Sequence, residues 1–95
     1  MKNIDLMTTD GMAELKGSEK QVSWAKSIRF EMLNDLALSY SWAMREAKDE
    51  EQRETLSDNF GKARDNMAKI ESAKWFIENR DLESAKLLGT LYHMQ

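Results

Sequence analysis

From Ser18 onward the apolar residues of this chain recur with the period of a helix. At about 100° per residue, Val22, Ala25, Met32, Leu33, Leu36, Tyr40, Ala43 and Ala47 fall on one stripe, on a helix predicted over residues 18–48. Ser18-Glu19-Lys20-Gln21 is the start signal. It has the form of a capping box, in which the Ser hydroxyl accepts from the third amide and the Gln side chain reaches back to the first. Nothing from there to Lys48 breaks a helix, which would span about 45 Å. Trp24 and Trp42 are separated by whole helical turns, so they share one angular position beside the stripe. Arg29 projects near the centre of the stripe, where a guanidinium needs a partner or an exit to water.

Around Asp49-Glu50-Glu51-Gln52 the apolar pattern lapses. Asp49, with Gln52 three residues on, restarts a helix. No Gly or Pro marks the turn, so a continuous helix through residue 58 stays open. Leu56, Phe60, Ala63, Met67, Ile70 and Ile77 make a second stripe, on a helix predicted over residues 50–79 and interrupted by Lys74. Trp75 and Phe76 flank that stripe, so its end should be covered by more than one neighbour. Asn79-Arg80-Asp81 is the last break. Asp81 suits the cap of a short helix over residues 81–92, whose wide apolar arc is expected to pack over residues 75–77. Residues 1–17 read as irregular or as a weak hairpin, with a turn signal at Asp10-Gly11. The predicted fold is all-α: a long antiparallel helical hairpin closed by a short C-terminal helix, after an irregular N-terminal segment.

Composition narrows the classes. The chain has 95 residues, enough for one domain. It is too apolar and aromatic for disorder, at 41% hydrophobic with three Trp. The absence of Cys removes disulfides, thiolate metal sites and Cys nucleophiles. No apolar stretch is long enough for a membrane span, and no secretory signal opens the chain. The net charge is -3, and it is concentrated in residues 45–58, where six acidic residues face three basic ones. That segment reads as a solvated hinge between helices, or as an acidic patch, with Glu50, Glu51 and Glu54, that meets a basic partner.

Catalytic chemistry is sparse. His93 is the sole His and stands third from the end, which gives no triad and no two-His metal site. No nucleotide-binding glycine loop is present. No enzyme activity, cofactor or metal is therefore expected. Lys16, Ser18 and Lys20 form a candidate anion site, with helix amides and two cations available to a phosphate. A plain capping box explains Gly17, Ser18 and Gln21 without a ligand. Met32 and Met67 lie on stripes and read as core, whereas the three Trp flank the stripes and suit either core or interface. Trp24, Trp42 and Arg29 join the three Glu as the candidate interaction surface.

Two segments carry a resemblance. Gly17-Ser18-Glu19-Lys20-Gln21-Val22-Ser23-Trp24-Ala25-Lys26-Ser27-Ile28-Arg29 resembles a GS-x-KQ-x-x-WA-x-x-IR motif of small proteins and accessory domains from bacterial phages and mobile elements. Ser72-Ala73-Lys74-Trp75-Phe76-Ile77-Glu78-Asn79-Arg80 is similar to an A-x-x-WI-(D/E)-x-R-like motif that follows it, with Trp-Phe-Ile as a departure. The resemblance implies a phage or mobile-element context and no particular mechanism. Small size, acidity and absent chemistry then point to a non-enzymatic protein in the bacterial cytoplasm. Its expected role is to bind and inhibit a host protein, for example a defence nuclease, as anti-CRISPR proteins do. The alternatives are a nucleic-acid-associated module using Lys16, Lys20, Lys26 and Arg29, and a structural phage component. A homodimer through the Trp24/Trp42 side would supply a further apolar layer. The two motifs are also expected to meet at one end of the hairpin through an Arg29–Glu78 pair, with Trp24 near Trp75 and Ile77.

Overall fold

A computed structural model of the chain describes Thr9 and residues 11–94. The described residues form four helices: α1 (Glu19–Glu46), α2 (Glu50–Lys69), α3 (Ala73–Glu78) and α4 (Ser84–Tyr92). The capping box forms as the sequence requires. Ser18 Oγ accepts from the Gln21 amide at 3.2 Å and Gln21 Oε1 accepts from the Ser18 amide at 3.0 Å. The stripe of α1 turns inward: Ala25, Met32, Leu33 and Leu36 are buried, joined by Ile28 and Ala37. A break at residues 47–49 separates α1 from α2. Asp49 Oδ1 accepts from the Gln52 amide and Gln52 Oε1 from the Lys48 amide, so side chains terminate the ladder without Gly or Pro. Tyr40 then stacks obliquely on Phe60 at 5.2 Å and its hydroxyl meets Ser57 Oγ at 2.8 Å, which fixes the hairpin register.

The single helix expected over residues 50–79 is two helices. α2 ends at Lys69, and α3 begins after an extended link at residues 70–72. Two features make the break. Ser72 Oγ accepts from the Trp75 amide and starts a new helix. The N-terminal segment also lies along the link: Ala13 donates to the Ala68 carbonyl at 2.7 Å and Lys16 to the Glu71 carbonyl at 2.6 Å. The Ala73 amide in turn donates to the Lys16 carbonyl at 3.0 Å. Backbone groups that a continuous helix would pair within itself are thus paired with this strap. Residues 13–16 are accordingly paired with α2 and the link rather than in a local hairpin. Gly11, at φ +80°, carries a turn closed by the Met12 amide on the Thr9 carbonyl. Ile4 and Leu6, the other arm of the expected hairpin, lie outside the described residues.

The break re-phases everything after it. Phe76, placed by helical phase beside the stripe, is fully buried, and Lys74, placed on it, is exposed. The last helix differs too. Its cap position is Glu83, without a side-chain bond, whereas Asp81 lies in the preceding turn and is exposed. α4 packs on α2 and α1, not over residues 75–77. Asn66 on α2 holds its end, donating through Nδ2 to the carbonyls of Leu91 at 2.7 Å and Met94 at 3.1 Å. The core runs the length of a body measuring 46 × 24 × 22 Å: α1 with α3 at one end, and the α1–α2 turn with the start of α4 at the other. Among the described residues no helix is long and apolar enough to cross a membrane.

Candidate functional site

α1 is covered on one side only, and its outer face carries large apolar residues in the open. Trp24 is 50% exposed, Leu38 70% and Trp42 63%. The two tryptophans share an azimuth but not an environment. Trp24 lies at the α3 end, where the Arg80 guanidinium sits 5.1 Å from its ring centre. Arg80 is itself tied back by a hydrogen bond to the Ile77 carbonyl. One contact between the two sequence motifs is thus a cation on an aromatic face, beside the buried packing of Ala25 and Ile28 on α1 with Ala73 and Phe76 on α3. Trp75 instead meets Phe76 edge-on at 5.1 Å.

Trp42 stands at the opposite end, between two adjoining grooves. One, of about 570 Å³, is lined by Trp42, Ala43, Glu46, Ala47, Asp49, Glu51, Gln52, Thr55 and Leu56. The other, of about 540 Å³, is lined by Leu38, Ser39, Trp42, Ala43, Leu56, Phe60, Ser84, Ala85 and Leu88. The local cause is side-chain size. Ala43, Ala47, Thr55 and Ala85 are too small to fill the angle between α1, α2 and α4, whereas Phe76 and Met32 close the core elsewhere. Leu38 and Trp42, one helical turn apart, stand over this depression.

The acidic segment borders it. Glu46 and Glu51 are exposed and line the first groove with Asp49, whose carboxylate also caps α2. Glu50 pairs with Arg53 at 3.7 Å, and Glu54 is exposed on α2 outside both linings. Of the surface residues read from sequence, the structure therefore brings together Trp42 and Glu51 and leaves Trp24 at the far end. Leu38, Glu46, Asp49, Leu56 and Leu88 were missed. Leu38 had a signal, since it stands one turn before Trp42 on a face otherwise occupied by Glu31 and Asp35. Leu88 had none, because its place depends on the path of the chain after Asn79.

Arg29 is not a surface residue. It is 8% exposed, and its Nη1 donates to the Ala13 carbonyl at 2.9 Å. The Arg29–Glu78 pair does not form, and Nε of Arg29 has no hydrogen-bond partner among the described residues. Burial pushes the guanidinium pKa below its ordinary value. The physical reason for the different partner is the strap, whose Ala13 carbonyl lies at the guanidinium, whereas Glu78, the one carboxylate of α3, is exposed. At the candidate anion site the groups already have work. Lys16 pairs with Glu71 at 3.0 Å and Ser18 closes the capping box, while Lys20 is exposed. His93 ends α4 and meets the Tyr92 ring edge-on at 5.2 Å. Among the described residues no group of three or more His, Cys, Asp or Glu is placed to hold a metal ion.

The fold and the surface together define an all-α protein with an exposed Leu–Trp face beside an acidic rim. In comparisons with known proteins, no family model, no curated protein and no solved structure matches the chain.

Proposed function

We propose that this chain is a small, non-catalytic interaction protein that binds a partner protein through the hairpin end built around Leu38 and Trp42. One observation carries the reading: two large apolar side chains, 70% and 63% exposed and a turn apart, stand over grooves floored by Phe60, Leu56 and Leu88. Apolar anchors of this size gain most from being covered, and Trp is prominent among residues that dominate interfaces. The segment from Gly17 to Arg29 resembles small phage and mobile-element proteins, which supports a bacterial host protein as the partner and inhibition by occlusion as the effect. A nuclease of a defence system fits that context. Of the four residues of the nucleic-acid reading, Arg29 is buried, Lys16 pairs with Glu71 at the surface, and Lys20 and Lys26 are exposed.

The test compares capture of host proteins by the wild-type chain, Trp42→Ala, Leu38→Ala and Trp24→Ala, with circular dichroism to check folding. One protein should be retained by the wild type and by Trp24→Ala, and lost by Trp42→Ala and Leu38→Ala at unchanged helix content. Capture that survives both substitutions, or salt-sensitive DNA binding lost on Lys20→Ala with no protein retained, would overturn the assignment.

A further inference from the structure

The two grooves beside Trp42 share Trp42, Ala43 and Leu56 as common walls, so they form the halves of one trough. The halves differ in chemistry. Beyond Leu38 the lining is apolar, with Phe60 and Leu88. On the other side of Trp42 it is acidic, with Glu46 and Glu51. Along α1 the order is Leu38, Trp42, Glu46, one turn apart each, so apolar contact and negative charge are about 12 Å apart on one line. The acidic half belongs to residues 45–58, where the charge imbalance of the chain is concentrated.

From this polarity we infer that the occupant of the trough is a basic amphipathic helix of a partner protein. Resting on the docking face proposed above, the assignment adds what that face accepts. The occupant lays its apolar stripe over Leu38, Trp42 and Leu88 and sets Lys or Arg side chains against Glu46 and Glu51. A helix supplies both in the required arrangement, because apolar and basic residues one to two turns apart stand about 5–11 Å apart along its axis. An acidic or neutral helix would fill the same apolar half and leave the carboxylates facing like charge or nothing.

The experiment uses the full chain and two fluorescein-labelled 14-residue amphipathic helical peptides, one of Leu and Lys and one of Leu and Glu, followed by anisotropy. The Leu/Lys peptide should bind, with affinity at least tenfold lower for Trp42→Ala and for Leu38→Ala. The pair Glu46→Gln with Glu51→Gln should weaken it severalfold and flatten its salt dependence. Glu14→Gln with Glu19→Gln changes the net charge equally at the opposite end, where α1 begins, and should have no effect. Equal losses in the two charge pairs would reduce the binding to general attraction and overturn the inference. Equal binding of both peptides, still lost in Trp42→Ala, would overturn the basic occupant and leave the docking face standing. Binding of neither peptide to a folded chain would overturn both.

Discussion

Arg29 is a charged side chain held inside an apolar core. Its angular position on α1 puts it in the core, and the structure leaves it 8% exposed. The partner is the Ala13 carbonyl, so the charge is met by a neutral acceptor and Nε is left without one. Hydrogen bonds to charged groups contribute about 1.5–3 kcal/mol, so Arg29→Ala should cost about that much in urea unfolding. Glu78 is exposed, and Glu78→Ala should stay within about 0.5 kcal/mol, with coupling to Arg29→Ala near zero in a double-mutant cycle. Ser18 is the opposite case, read from four consecutive residues and found as read. Ser18→Ala leaves the Gln21 amide without its acceptor and should cost about 0.5–2 kcal/mol, measured the same way.

At the scale of elements, the deciding feature is the strap of residues 13–16. It pairs with Ala68, Glu71 and Ala73, and it seats Leu15 in the core at 5% exposure. α2 and α3 are separate because this segment takes the backbone groups between them. Leu15→Ala should therefore destabilise the whole chain by about 2–4 kcal/mol, as for a core leucine, although it lies outside every helix. Ala13→Pro removes the amide that donates to the Ala68 carbonyl and should cost about 1–3 kcal/mol, with faster hydrogen exchange at Lys16 and Ala73 as the accompanying sign. Nothing in Ile70-Glu71-Ser72 marks a break by composition. Only Ser72 carries a capping side chain, and many serines inside helices do the same without ending them.

For the molecule as a whole, two exposed tryptophans at opposite ends of one helix pose the question of self-association. A two-fold pairing along the outer face of α1 would bring Trp24 to Trp42 of the second copy. It would also bring Glu31 against Asp35 of the second copy, and Asp35 against its Glu31, all exposed at the centre of that face. Like charges so placed oppose closure. The radius of gyration of 13.5 Å, against about 12 Å for a compact chain of this length, reflects the length of α1. Sedimentation velocity at micromolar concentration should show a monomer. Trp42→Ala should leave its unfolding free energy in urea within about 0.5 kcal/mol of the wild type, since the ring is 63% exposed.

The starts of α1 and α2, the inward face of α1 and the all-α class depend on contacts within a few residues, which is why the sequence alone determined them. The capping pairs Ser18–Gln21 and Asp49–Gln52 and the buried positions Ala25, Leu33 and Leu36 follow from spacing. Trp42 and Glu51 were legible as surface residues for the same reason. What lies beyond that range was decided by the tertiary structure. The strap meets α2 more than fifty residues along the chain, and that meeting breaks the second helix, buries Phe76 and gives Arg29 its partner. The return of α4 to α2 through Asn66 brings Leu88 to Leu38 and makes the apolar half of the trough. Such contacts form where backbone groups and apolar surface left unsatisfied in one element are matched in another, and that match depends on three-dimensional position rather than on local periodicity.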